Sequence, residues 1–394
     1  MKTIKILHIF ILLAFLTACW DLHEVNEVSI ISGLAIDKGK DAKFRLTVEL
    51  LNASEMGTDK ASGNTASIVL GVEGQSIGEL THKINQAISR KPIYSHMKTV
   101  IISEELAREG VVELFDLMDR HREIRNDFNI LIVEAPHMAA DVLNITYPLQ
   151  KVATQKINTQ ADTFYEEWGG YSRVRLKDLV DAFSTDGREP TTAMIGIVGA
   201  SQKGASVENL QKTEPDAYIE FTGNSIFKDN KMIGQIPLIG SRSYLITQDN
   251  LERTSISIEC EENKTVDIRL QSIKSNTSVK MKAGVPHIQI TIGGEGILEG
   301  TQCSDPISSF KVTDEYEKKS GELLEEEVRS TINLAQKEFQ SDIFGFGEIL
   351  YRSEPKKFKK VKDNWNETFA KATVEVNATI KIRRSGLRID SYLD

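Results

Sequence analysis

In the stretch His287-Ile288-Gln289-Ile290-Thr291-Ile292, polar and apolar residues alternate strictly. A period of two is typical of a β-strand that buries one of its faces. The stretch ends a series of strand candidates that follow one another with no helical pattern between them, at residues 256–260, 266–270, 279–281 and 288–298. Consecutive strands without intervening helices predict an antiparallel sheet.

A long amphipathic helix is predicted directly after these strands. It begins near Thr313 and Asp314, and its apolar residues recur every three to four positions on one stripe: Leu323, Leu324, Val328, Ile332, Ala335 and Phe339. A final alternating strand runs from Val374 to Ile382. One helix packed on such a sheet predicts an α+β domain over residues 215–394, which opens with a hairpin turning at Lys228-Asp229-Asn230-Lys231.

The first half of the chain has a different pattern, in which strands alternate with helices. Strands are predicted near residues 28–36, 44–50, 67–72, 97–103, 129–133 and 194–198, and the segments between several of them carry helical spacing. Alternation of this kind predicts a mixed α/β domain over residues 19–200, either as one unit or as two subdomains. Between Asp141 and Thr163 the periodicity fades, and we predict no regular element there. The polar segment 201–214 is predicted to be a linker.

Composition supports a multidomain protein and excludes some classes of partner. The chain has 394 residues, which is long for one domain, and its formal net charge is −9. An acidic chain is a poor ligand for nucleic acid or for an anionic lipid surface. We therefore predict no nucleic-acid partner.

The sequence contains no arrangement of residues that indicates catalysis. Its seven histidines are not paired with other ligands at metal-binding spacing, and no nucleophile elbow, zincin or P-loop motif occurs. The run Gly293-Gly294-Glu295-Gly296 has the wrong spacing for a nucleotide loop and is better explained as a bulge or turn. We predict no catalytic, metal-binding or cofactor-binding residues, and a protein that is not an enzyme.

Three cysteines are present, and two of them, Cys260 and Cys303, belong to the second half. Sequence spacing does not determine whether they pair. We favour unpaired thiols, because a chain of this size does not depend on disulfides for a stable core.

The N-terminus has the features of a cleaved signal. Lys2 and Lys5 precede an apolar run over residues 6–16, which is shorter than the roughly 20 residues needed to span a bilayer. The following Leu16-Thr17-Ala18-Cys19 resembles the lipobox of bacterial lipoproteins. That resemblance implies a signal peptide over residues 1–18, a diacylglycerol thioether on Cys19 and an N-acyl chain such as palmitate. Two or more acyl chains would tether the mature protein stably to a membrane, outside the cytoplasm. The alternative is an ordinary secretory signal with a chance cysteine.

Two stretches resemble the Ger(x)C family of spore germination lipoproteins, the C subunits of germinant receptors. The first comprises Cys19-Trp20-Asp21, Glu24, Asn26, Glu27 and Gly33-Leu34-Ala35-Ile36-Asp37. The second comprises Asp342-Ile343-Phe344-Gly345-Phe346-Gly347-Glu348, Trp365-Asn366 and the strand end Ile380-Lys381-Ile382-Arg383-Arg384-Ser385-Gly386. The hairpin from Phe227 to Gly234 is similar to the same family.

The resemblance implies a noncatalytic protein of several α/β domains, without a cofactor, on the outer face of the spore inner membrane. It implies two integral membrane partners, the A and B subunits, and a role in germination triggered by small nutrients. Cys19, the lipid attachment site, is the one residue to which it assigns a role. For Phe344 and Phe346 we favour packing against the end of the long helix over a partner-binding loop.

Two other classes of protein fit the same signal and two-part organisation. A lipid-anchored solute-binding protein of a transporter is the main alternative, and an envelope hydrolase is a weaker one. Saturable binding of a nutrient would favour the former, and a carboxylate or Ser/His site in a cleft would favour the latter.

Overall fold

A computed structural model describes residues 27–56, 64–121, 123–306 and 309–384. The predicted signal peptide and Cys19 lie outside the described residues, as do Ser385 and Gly386. The described chain forms two β-sheets with helices packed on both of them.

The first sheet has the strand order β3-β2-β1-β5-β6-β7-β8-β9, with β4 pairing beside the start of β1. Its strands are β1 (Val28–Lys38), β2 (Phe44–Leu51), β3 (Ser67–Gly74), β4 (Lys91–Ile93), β5 (Thr99–Ser103), β6 (Asn129–Val133), β7 (Thr191–Gly199), β8 (Ala217–Lys228) and β9 (Lys231–Pro237). The central strands β1, β5, β6 and β7 run parallel, and the outer pairs are antiparallel.

The first half of the chain also contains helices, several of which pack on the two faces of this sheet. They are α1 (Ala53–Met56), α2 (Ile77–Lys83), α3 (Glu104–Glu109), α4 (Val112–Arg120), α5 (Ala139–Asn144), α6 (Ala153–Glu167), α7 (Leu176–Ser184) and α8 (Ser201–Gly204). Along β1, Leu34 and Ile36 face one core and Ala35 faces the other. Burial on both faces explains why the central strands are continuous apolar runs.

The second sheet has the order β10-β11-β12-β13. Its strands are β10 (Arg253–Glu261), β11 (Lys264–Lys282), β12 (Val285–Thr301) and β13 (Thr373–Arg384). The helices of this half are α9 (Leu238–Thr247), α10 (Phe310–Leu334), α11 (Phe346–Ser353), α12 (Pro355–Phe358) and α13 (Trp365–Phe369), and a π-helical turn, Ala335–Phe339, extends α10. Buried residues of α10, including Leu324, Val328 and Ile332, pack against the sheet. The predicted sheet and long helix are thus confirmed.

One pairing in this sheet differs from the antiparallel expectation. β13 runs parallel to β12, with His287 opposite Thr373. Parallel neighbours need a long crossover connection, and the segment containing α10 provides it. Alternation within a strand reports which face is buried but not the direction of the neighbouring strand.

The hairpin of β8 and β9 belongs to the first sheet, where β8 pairs antiparallel with β7. The predicted linker, residues 201–214, contains α8 and a 3₁₀ turn, Val207–Gln211. The chain therefore completes the first sheet after this segment. The position of the boundary between independently folding units stays a prediction.

The helix α6 lies where no element was predicted. Its buried residues Ala153, Thr154, Ile157 and Ala161 include one large apolar side chain. Small residues at buried positions let the helix approach the sheet closely, and they also weaken the helical hydrophobic pattern.

Cys260 and Cys303 form a disulfide, with Cα atoms 6.5 Å apart. Our expectation of unpaired thiols is therefore wrong. β10 and β12 flank β11 on either side, so the end of β10 and the residues just after β12 meet at one end of the sheet. This proximity arises from sheet topology, which the spacing of the cysteines does not encode.

Candidate functional site

The second family stretch forms a tight loop, residues 342–347, just after the long helix. Gln340 ends the helix in a left-handed conformation, with φ of 49°. The Asp342 carboxylate is fully buried and accepts hydrogen bonds from the backbone N–H of Gly345 (3.0 Å) and Gly347 (2.9 Å) and from the indole N–H of Trp365 (2.8 Å). One side chain thus organises the whole loop.

Burial raises the pKa of Asp342 to about 6, although the surrounding N–H donors act in the opposite direction. The carboxylate is nonetheless engaged on all sides by the protein itself. Such a group is a structural centre rather than a reactive one.

The two phenylalanines of the loop lie in the core of the second half. The rings of Phe344 and Phe346 stack with centroids 5.2 Å apart, and Phe346 also contacts Phe369. Both side chains are buried. The preferred interpretation, packing at the end of the long helix, is therefore confirmed.

The 342–347 loop also joins the two sheets. The Ser341 hydroxyl donates to the carbonyl of Phe227 in β8 (2.6 Å), and the Glu189 N–H donates to the carbonyl of Asp342 (2.8 Å). The Glu348 N–H donates to the carbonyl of Gly187 (3.2 Å). A Cβ on Gly347 would lie 2.6 Å from the Cα of Gly187, so this junction requires glycine.

Glu189 is a second carboxyl group at this junction whose pKa is raised. Burial raises its pKa to about 7, while hydrogen bonds from the Asn366 side-chain amide (2.6 Å) and the Asp229 N–H (3.1 Å) favour the ionised form. The junction therefore contains a carboxyl group that titrates near neutral pH.

The described part of the first family stretch also has a structural role. A Cβ on Gly33 would lie 2.8 Å from the carbonyl oxygen of Thr99. The Asp37 carboxylate accepts from the N–H groups of Ala139 (2.6 Å) and Ala140 (3.0 Å) at the start of α5. Such an acceptor satisfies backbone donors that have no partner within the helix.

Sequence reasoning missed a second buried acid of this kind. Glu49 accepts from the Ala153 N–H (2.8 Å), the Thr154 N–H (3.2 Å) and the Ser32 hydroxyl (2.7 Å), at the start of α6. The sequence offered no local signal, because Glu49 lies on the polar face of the alternating stretch 44–50 and is buried only where the start of α6 covers that face.

The other residues considered in the sequence, where the structure describes them, form no metal site. No group of three or more metal-ligating side chains occurs among the described residues. His287 shares a hydrogen bond with the Thr373 hydroxyl (2.8 Å). Gly293 to Gly296 lie within β12, whose register with β13 shifts between Gly296 and Ile297, in agreement with the bulge interpretation.

Two family models match this chain, one over each half. The family model "Spore germination protein N-terminal domain" matches residues 21–197, and "Spore germination B3/ GerAC like, C-terminal" matches residues 222–386. Both parts of a spore germination protein are thus present on one chain. The chain belongs to the Ger(x)C family.

Full-length relatives support this assignment. Spore germination protein KC of Bacillus subtilis (strain 168) is 26% identical over 391 residues, which cover 95% of this chain and 93% of that protein. Spore germination protein B3 of the same organism is 25% identical over 390 residues, covering 96% of each chain. The crystal structure of the GerBC protein has a TM-score of 0.54, with 18% identity, 89% of this chain covered and 96% of that chain. This structural match shows a shared fold.

Proposed function

We propose that this protein is a noncatalytic, lipid-anchored subunit of a nutrient germinant receptor, required for spore germination. The observation that carries the proposal is the similarity to spore germination proteins KC and B3 along almost their entire lengths. The buried family residues support a noncatalytic role, because the Asp37 and Asp342 carboxylates accept hydrogen bonds from backbone N–H groups of the protein itself.

The proposed location is the outer face of the spore inner membrane, with the integral membrane A and B subunits as partners. Among the described residues, no helix is both long enough and apolar enough to cross a bilayer. The lipobox supports attachment through acyl chains on Cys19, and multiple chains would give stable anchoring.

A germination assay tests the receptor role. Spores that lack this gene should fail to release dipicolinate in response to a subset of amino acids or sugars, and the complemented strain should recover. An unchanged response to every nutrient, in a strain without related receptor genes, would contradict the proposal.

The Cys19→Ala variant tests the anchor separately. We expect the variant to leave the membrane fraction and to lose most of the germination response. Ala18→Gly is the matched control, because it keeps a small residue before an intact cysteine and should retain both. Normal germination from a Cys19→Ala protein recovered outside the membrane fraction would refute the role of the anchor.

A further inference from the structure

An open cleft lies beside α6. Its sides are residues of α6, the connecting segment 147–150 and β8, and its volume is about 680 Å³. Much of the lining is apolar and aromatic, including Phe164, Phe221 and Leu238, and Leu149 at its edge is fully exposed. Clefts of about 300–1,000 Å³ with apolar walls and a few polar groups are typical of small-molecule sites.

Lys156 is the basic residue of this lining. Its ammonium group lies 4.5 Å from the centre of the Tyr147 ring and contacts two neutral acceptors, the Gln160 side-chain oxygen and the Ile219 carbonyl (3.4 Å). Among the described residues, no carboxylate lies within salt-bridge distance of it. Burial lowers the pKa of Lys156 to about 8, so the group is mostly charged at neutral pH.

The two acidic residues of the lining do not neutralise this charge. Glu167 forms an ion pair with Arg269, and Glu220 lies on an exposed position of β8. A partly buried cation without a counter-ion is unfavourable, and a bound anion would offset that cost. The cleft therefore combines apolar walls with the partly buried positive charge of Lys156, while the negative charge of Glu220 is exposed to solvent.

We propose that this cleft binds a small carboxylate with an apolar tail, with the carboxylate on the Lys156 ammonium and the tail against Phe164, Phe221 and Leu238. The charge selects an anion, and the aromatic walls favour a tail over a small hydrophilic acid. The inference rests on the cleft alone and does not depend on the role in germination.

Binding can be measured by calorimetry with the full-length chain in phospholipid nanodiscs and empty nanodiscs as the blank. The probes are phenylbutyrate and its neutral counterpart phenylbutanol. We expect saturable binding of phenylbutyrate. Phenylbutanol should bind roughly 10- to 100-fold more weakly, because it lacks the hydrogen bond between a charged carboxylate and the Lys156 ammonium. Equal affinities for the two probes, or no binding of phenylbutyrate at millimolar concentration, would overturn the proposal.

Variants test whether Lys156 causes the preference for the carboxylate probe over the neutral one. Lys156→Met keeps an apolar stem and removes an uncompensated charge, so the variant should fold with undiminished thermal stability while it loses the preference for the carboxylate. The exposed Lys203→Met is the control and should bind as the unmodified protein does. Thr163→Trp, which places a large ring at an exposed position of the lining, should weaken the binding of both probes. Retention of the carboxylate preference by folded Lys156→Met would refute the assignment.

Discussion

Replacement of Asp342 by alanine should destabilise the protein strongly, because this carboxylate is the shared acceptor of three buried donors. The donors are the N–H groups of Gly345, Gly347 and Trp365, at 2.8–3.0 Å. A buried donor left without an acceptor costs about 1–3 kcal/mol. Since relaxation and entering water would recover part of the loss, we expect a decrease of about 4 kcal/mol in the free energy of unfolding, a large share of the roughly 5–15 kcal/mol typical of a domain.

Urea unfolding followed by far-UV circular dichroism measures this change. Asp363→Ala is the matched control, since Asp363 is an exposed aspartate near the same loop and should change stability by no more than about 0.5 kcal/mol. Trp365→Phe removes one of the three donors, and its effect should not add to that of Asp342→Ala because both substitutions break the same bond. A loss below about 1 kcal/mol for Asp342→Ala, with these hydrogen bonds removed, would refute the reasoning.

Two further predictions concern the disulfide and the junction. Cys303→Ser should lower the free energy of unfolding by about 4 kcal/mol on a chain-entropy estimate, since the bridge closes a loop with a sequence separation of 43. Unfolding of the unmodified protein with and without reductant measures the same contribution. Equal stability in both conditions would contradict the prediction. Glu189→Gln should remove a dependence of stability on pH. The pKa of Glu189 is raised from 4.5 to about 7 in the folded protein, so between these two pH values the folded state binds more protons than the unfolded state. The free energy of unfolding therefore falls as the pH rises through this range. The melting temperature of the unmodified protein should therefore fall more between pH 5 and pH 8 than that of the variant, by a few degrees; parallel curves would show that Glu189 does not titrate there.

The elements of the second half were predictable because local periodicity reports which side of an element is buried. Alternation over residues 287–292 and a helical stripe from Leu323 to Phe339 require no knowledge of distant residues. The same logic failed for α6, where buried alanine and threonine replace large apolar residues.

The candidate site was predictable only in part. Phe344 and Phe346 could be assigned to the core because aromatic residues between glycines at a helix end have a simple packing explanation. The contact of Asp342 with Trp365 could not, because these two residues are 23 positions apart and become neighbours only when the segments after α10 fold back on each other.

The sequence by itself determined the two-part organisation, the family and the expectation of a lipid anchor at Cys19, since each depends on short contiguous patterns. Tertiary structure decided the Cys260–Cys303 disulfide, the parallel pairing of β12 with β13 and the cleft around Lys156. These features depend on which strands become neighbours and on how closely helices approach a sheet. Contacts of that kind join residues far apart in the chain, and no local pattern records them.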